Sequence, residues 1–338
     1  MRKPPRYISI TTALFISLLT IQSIRAQNWP AGIHDPSSIV KCNDNYWIFG
    51  TGDGIISLYS SDMVAWTNGP TPFTKTDFPA WILNYAVTST DQFEGFFWAP
   101  DIIYMNDRYY LYYSCSVWGT MNSCIGVVVN KTLDPSDPEF EWVDQGDIGI
   151  YSSGGTVNAI DPAVMRGHDG RIWMTYGSFN RDGIMVTEID SVSGKPFGTR
   201  TSIANSYTGG GYYSEGEGSC MIYRDGYYYL FYNKGGCCNG IASSYYIVMG
   251  RSTSPTGPFV DKNGKNMRII GSTSGGTVVL RHDDSRGLED RYYGPGHLSL
   301  FREKGVDYLS FHYYNPNGYY PSAEANYKGR PTLGLAKV

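Results

Sequence analysis

Asn106-Asp107-Arg108-Tyr109-Tyr110-Leu111-Tyr112 reads as a tight turn feeding a strand that is apolar or aromatic at every position. Asn and Asp tolerate the left-handed backbone that a two-residue hairpin turn requires. A strand with no polar face is buried on both sides. Four more segments repeat the pattern: Tyr46-Trp47-Ile48-Phe49, Ile172-Trp173-Met174-Thr175-Tyr176, Tyr228-Tyr229-Leu230-Phe231 and Tyr308-Leu309-Ser310-Phe311. Each follows a turn rich in Asp, Asn or Gly, and an apolar run such as Ser38-Ile39-Val40 or Ala163-Val164-Met165 precedes the turn.

The aromatic strands begin at residues 46, 109, 172, 228 and 308, in steps of 63, 63, 56 and 80. A unit of that length holds four short strands with their loops. Strand-like runs such as Ile125-Gly126-Val127-Val128-Val129 and Tyr246-Ile247-Val248-Met249 fill the intervals, and no sustained period of 3.6 appears. Five such sheets in one chain are expected to stand radially, as an all-β five-bladed β-propeller that hides its sheet edges around a central channel. A β-sandwich competes, but needs no fivefold repeat. No linker composition interrupts residues 27–338, which are expected to form one domain.

Counting back eleven residues from each aromatic strand reaches Asp35, Trp98, Asp161, Glu217 and His297. Equivalent positions in a radial fold converge, so three carboxylates, a His and a Trp are expected at the hub. Strand-start turns account for Asp35-Pro36 and Asp161-Pro162 but not for Glu217 or His297. Converging carboxylates among aromatics suit hydrolysis of a glycosidic bond. One protonated acid serves the leaving oxygen, and one ionised base serves water. A third carboxylate keeps the acid protonated by like-charge repulsion. Glu215 lies two residues before Glu217 and rivals it, since alternate strand positions share a face. No HExxH zinc motif and no GxSxG nucleophile elbow is present.

Composition points the same way. Aromatics make up 15% of the chain and glycines number 40, against a net charge of only −4. That balance excludes disorder and gives no reason to expect nucleic acid or an anionic membrane as partner. Arg2, Lys3 and Arg6, an apolar run from Ile8 to Ile21, and Ala26 before Gln27 form the pattern of a signal peptide over residues 1–26. Export to the periplasm or the medium is therefore expected. Six cysteines permit disulfides in that setting. Cys115 and Cys124 are placed to close a hairpin, whereas Cys237-Cys238 either splits between partners or forms a vicinal disulfide. Asn130-Lys131-Thr132 is a glycosylation sequon.

Several stretches resemble glycoside hydrolase family 43, and within it the endo-α-1,5-L-arabinanases. They are His34-Asp35-Pro36-Ser37, Phe97-Trp98-Ala99-Pro100-Asp101, Asn158-Ala159-Ile160-Asp161-Pro162, Cys237-Cys238-Asn239-Gly240, Gly250-Arg251-Ser252 and Gly294-Pro295-Gly296-His297. The resemblance implies a five-bladed propeller that inverts configuration, with Asp35 as general base, Glu217 as general acid and Asp161 as pKa modulator. It implies a central calcium held by His297, mostly through waters. It implies an arabinan or arabino-oligosaccharide partner contacted by Trp98, Asn158 and Ser178, and a monomer that engages neither nucleic acid nor membrane. Base and acid carboxylates are then expected roughly 6.5–9.5 Å apart. Gly177-Ser178-Phe179 is followed by Asn180-Arg181 where arabinanases often carry Trp, so one sugar subsite is expected to differ. Two other readings stand beside this one: an exo-acting α-L-arabinofuranosidase or β-xylosidase, and a non-catalytic glycan-binding propeller.

Overall fold

The computed structural model describes residues 31–152, 155–205, 216–269, 274–282, 292–317 and 329–337. The signal-peptide pattern, Glu215 and the tip of the loop after Ile203 lie outside them.

The five repeats form five antiparallel sheets. Blade 1 holds Val40–Cys42, Asn45–Gly50, Ile56–Ser60 and Thr67–Asn68; blade 2 holds Phe96–Met105, Arg108–Ser116, Ser123–Asn130 and Val143–Tyr151. Blade 3 holds Ala163–Arg166, Ile172–Tyr176, Ile184–Ile189 and Pro196–Ala204; blade 4 holds Glu217–Arg224, Tyr227–Lys234, Tyr246–Ser252 and Thr277–Arg281. Blade 5 holds Tyr293–Glu303, Val306–Asn315 and Arg330–Lys337. The expected five-bladed β-propeller is thus the observed fold. The hairpin turns behave as their residues require: Asn106 and Asp107 have φ of 50° and 55°, and Asp225-Gly226 and Lys304-Gly305 pair a left-handed residue with a left-handed glycine.

Burial explains why the second strand of each blade has no polar face. Trp47 and Phe49 pack toward blade 2 with Ile102, Tyr109, Leu111 and Tyr113, whereas Tyr110 and Tyr112 turn toward blade 3 and meet Val164 and Met174. Tyr228, Leu230 and Tyr232 face blade 3, while Tyr229 and Phe231 face blade 5. The fifth core joins Tyr46 and Ile48 of blade 1 to Leu333 and Leu335 of the last strand. Successive side chains of one strand therefore serve two different cores, one on each side. The ring closes where the chain ends meet: Ile33 N–H donates to Pro331 O and Leu333 N–H to Ala31 O.

Asp101 ties the inner strands of three blades. It is 2% exposed, and its two carboxylate oxygens accept Ser38 N–H and Val164 N–H, each at 2.7 Å. Burial raises its carboxyl to about 6 despite those bonds.

Two cysteine and sequon readings are resolved. Cys115 and Cys124 sit opposite one another on neighbouring strands as buried free thiols, so no hairpin disulfide joins them. Cys237 and Cys238 are bonded to each other. Asn130 is 2% exposed, its side-chain oxygen accepting the N–H groups of Thr132 and Glu141, so it offers no glycan attachment point.

Candidate active site

The inner strand of every blade begins with the same kink. Residues 34, 98, 160, 217 and 296 pair with 51, 114, 177, 233 and 312; three residues later the partner has moved back by only two. One extra residue is thus inserted on the inner strand, a bulge that turns side chains toward the axis. The residue just after the pair takes a left-handed backbone: Asp35 at φ 49°, Ala99 at 43°, Asp161 at 58°, Gly218 at 57° and His297 at 53°.

This corrects the eleven-residue count. Asp35, Asp161 and His297 share one position, whereas Trp98 and Glu217 occupy the one before it. The count merges two neighbours on opposite sides of the bulge. Asp35, Asp161, Glu217 and His297 still share one hub. His297 Nδ1 stands 3.5 Å from Asp35 Oδ1. Asp161 Oδ2 accepts Gly218 N–H at 2.9 Å, next to Glu217.

The partner positions form a second ring that the sequence reading missed. They are Thr51, Ser114, Gly177, Asn233 and His312, five residues after each aromatic strand start in four blades and four in the last. The Thr51 hydroxyl donates to Asp35 Oδ2 at 2.6 Å, and the Ser114 hydroxyl accepts Asp161 N–H at 2.9 Å. His312 Nδ1 accepts Asp35 N–H at 3.1 Å, and burial holds this imidazole well below its usual range. The offset, five in four blades, was the available signal, hidden because the ring holds no carboxylate, lysine or arginine and one of its members is a glycine. His34, which bonds Asp35 Oδ2 through Nδ1 at 2.7 Å, and Tyr245, which donates to Glu217 Oε1, were also missed.

The carboxylates differ in environment. Burial works to raise Asp35, but the charge and hydrogen bond of His34, with His297 and His312 behind, hold it well below the usual carboxylate range. Burial raises Asp161 to about 6, helped by Asp35 and opposed by His297. Burial, then Asp161, push Glu217 well above its ordinary value, against the pull of its Ser178 bond. The hub therefore carries one carboxylate stabilised as the anion and one stabilised as the acid, the division that acid–base hydrolysis needs.

The expected substrate contacts part ways. Trp98 is half-buried with its ring 5.8 Å from that of Trp118, a residue 72% exposed at the same end of blade 2 and not singled out from sequence. Aromatic faces exposed beside a polar cleft suit the apolar faces of sugars. Ser178 is 2% exposed and its hydroxyl donates to Glu217 Oε2 at 2.6 Å, which places it against that carboxyl. Asn158 Oδ1 accepts the Ser123 hydroxyl at 2.8 Å, which ties this side chain to blade 2.

Three buried side-chain atoms of the site lack hydrogen-bond partners among the described residues: both amide atoms of Asn233 and His312 Nε2. A β-carbon placed on Gly218 would stand 2.7 Å from Asn233 Nδ2 and 3.2 Å from His297 Nδ1. Only glycine leaves that point open. His34, Asp35 and His312 also offer ligand atoms within 4.8 Å of one another.

The sequence profile of Glycosyl hydrolases family 43 matches residues 30–333. An extracellular endo-α-(1→5)-L-arabinanase of Bacillus subtilis is 37% identical over 78% of this chain and 75% of its own length. An extracellular exo-α-(1→5)-L-arabinofuranosidase of Cellvibrio japonicus is 35% identical over 83% of this chain and 79% of its own. The solved α-L-arabinanase of Cellvibrio cellulosa, complexed with arabinohexaose, superposes with a TM-score of 0.77 at 32% identity, covering 90% of this chain and 91% of the other.

Proposed function

The chain belongs to glycosyl hydrolases family 43 and is a glycoside hydrolase; from that premise we propose that it is an exported, inverting endo-α-1,5-L-arabinanase acting on arabinan and arabino-oligosaccharides. The observation that supports the mechanism is the gathering of Asp35, Asp161 and Glu217 at one hub, with His34 and Thr51 bonded to Asp35 and a buried setting around Glu217 that favours its acid form. Asp35, ionised, takes a proton from water as the water oxygen bonds to the anomeric carbon. Glu217, protonated, passes its proton to the departing glycosidic oxygen as the old bond breaks. Attack from the face opposite the leaving group inverts the centre. Asp161 fixes the backbone beside the acid and, as a neighbouring negative charge, keeps it protonated. Trp98 and Trp118 would stack on arabinose units.

Calcium fits the hub in one respect. Asn233 supplies a buried, unpartnered amide beside His297, so an ion with a water shell would satisfy groups that are costly to leave alone. His297 and Asn233 would hold it, and it would supply positive charge near Asp35. Replacing His297 with Ala should abolish calcium retention, measured by elemental analysis after gel filtration; unchanged metal content would remove His297 from this role.

The relatives include one named as an endo-acting and one named as an exo-acting enzyme. Digestion of debranched arabinan separates the two. A ladder of oligosaccharides early in the reaction supports endo action, and release of a single short product from chain ends supports exo action. Xylan and aryl arabinofuranoside, run in parallel, test the xylosidase and arabinofuranosidase readings. No turnover of any of these substrates would leave a glycan-binding propeller. Proton NMR of fresh products should show β-anomers from α-linkages; α-anomers would overturn inversion.

A further inference from the structure

Cys238 N–H donates to Tyr314 Oη at 2.9 Å, and Tyr314 Oη lies 2.9 Å from His34 Nε2. His34 Nδ1 then meets Asp35 Oδ2 at 2.7 Å. The backbone N–H of Cys238 donates to the tyrosine oxygen, which is thereby fixed beside Nε2. Nδ1–H faces Asp35 in the imidazolium and in the neutral tautomer protonated at Nδ1, and in that tautomer Nε2 accepts the phenol O–H.

The chain is held at every link. Tyr314 is 0% exposed. The His34 ring stacks on His312 at 4.1 Å and 22°, and His312 itself accepts Asp35 N–H. Cys238 has φ 62°, a backbone that a non-glycine residue keeps only when its surroundings enforce it. Its enforcement is local: Cys238 is bonded to Cys237, and the loop closes through Gly236 N–H to Ser244 Oγ and Ser244 N–H to Gly236 O, both at 2.9 Å. The Cys238 sulfur also lies 3.9 Å from His34 Nε2.

We infer that Tyr314 and the Cys237–Cys238 loop are positioning elements for hydrolysis, orienting His34 and through it the water-activating carboxylate of Asp35. The inference rests on reading Asp35 as the base. The disulfide bears on the rate through the backbone N–H it immobilises, not through contact with the sugar.

The test uses the full-length exported protein on debranched arabinan, with a nitrophenyl arabino-oligosaccharide alongside. Tyr314→Phe should lower kcat about tenfold on both substrates with KM within about twofold, the rate equivalent of losing one hydrogen bond. The equal penalty matters, because a defect in the acid would be relieved by the nitrophenolate leaving group, which needs no proton. Reducing the disulfide with a phosphine should slow the wild type several-fold and leave Tyr314→Phe unaffected, since contacts acting in one chain are not additive. Thiol titration in denaturant, rising from four to six, verifies the reduction. An unchanged kcat in Tyr314→Phe, or equal phosphine effects on both proteins, overturns the inference. If Tyr314→Phe does not fold, a protein with both Cys237→Ser and Cys238→Ser gives the same reading: lowered kcat with unchanged KM supports it, and wild-type kinetics overturn it. Asp35→Ala separates this result from the reading beneath it, because full activity there removes the base assignment itself.

Discussion

Replacing Glu217 with Gln tests the division of labour at the hub most directly. The side chain is 8% exposed and carries bonds from Ser178 and Tyr245. Glutamine keeps the shape and its oxygen can accept one of the two bonds, the amide NH2 taking the place of the other acceptor. What disappears is the acid form that burial and the neighbouring Asp161 favour at this carboxyl. General acid catalysis contributes roughly 10²–10⁴-fold, about 2.7–5.4 kcal/mol at 1.36 kcal/mol per decade. Debranched arabinan, whose leaving group is a sugar alkoxide, should feel the whole loss in kcat with little change in KM. A nitrophenyl arabino-oligosaccharide should lose less than about tenfold, because its leaving group departs as the anion. The basic limb of the pH–rate profile should also vanish. Equal losses on both substrates would mean that Glu217 serves structure rather than proton transfer. A fully active Glu217→Gln with an inactive Glu215→Gln would move the acid to the rival position.

Three further substitutions probe different parts of the molecule. Asp161→Asn removes the charge that raises Glu217, so the acid should lose its proton at lower pH and the basic limb of kcat/KM should shift toward acid; a limb that stays fixed or moves to alkaline pH contradicts the coupling. Asp101→Ala deletes two buried hydrogen bonds from a carboxylate, about 3–5 kcal/mol together, which calorimetry should register as a Tm drop of roughly 6–10 °C for a domain of this size; a drop under about 2 °C would show that the blades do not depend on it. Trp118→Ala leaves no cavity at so exposed a site and should raise KM for arabinan roughly 3–10-fold with unchanged Tm, and an unchanged KM would remove the residue from the sugar path.

The propeller was legible because the aromatic strands advertise burial on both faces, and only a ring of sheets gives each of five strands two neighbours. The charged hub was legible because Asp, Glu and His are conspicuous among apolar strands. The bulge was not, since one inserted residue leaves no mark in composition, and it made two neighbouring positions look like one. Ser178 was ambiguous for a related reason: a hydroxyl beside the site is equally suited to sugar and to carboxylate, and its bond in the fold goes to Glu217. Thr51, Ser114 and Asn233 passed unnoticed because uncharged polar residues in strands carry no sign of which way they face. His34 and Tyr314 sit 280 residues apart and meet only through ring closure.

That closure has a consequence for the order of events at synthesis. Asp35 leaves the ribosome long before the imidazoles of His297 and His312 that surround it, and His34 is made 280 residues before the Tyr314 phenol behind it. No working cleft can exist on a partial polypeptide, however well its early blades have folded. A chain halted before the final sheet leaves Asp35 without His297, His312 and the Tyr314–His34 link, even where Glu217 already meets Ser178 and Tyr245.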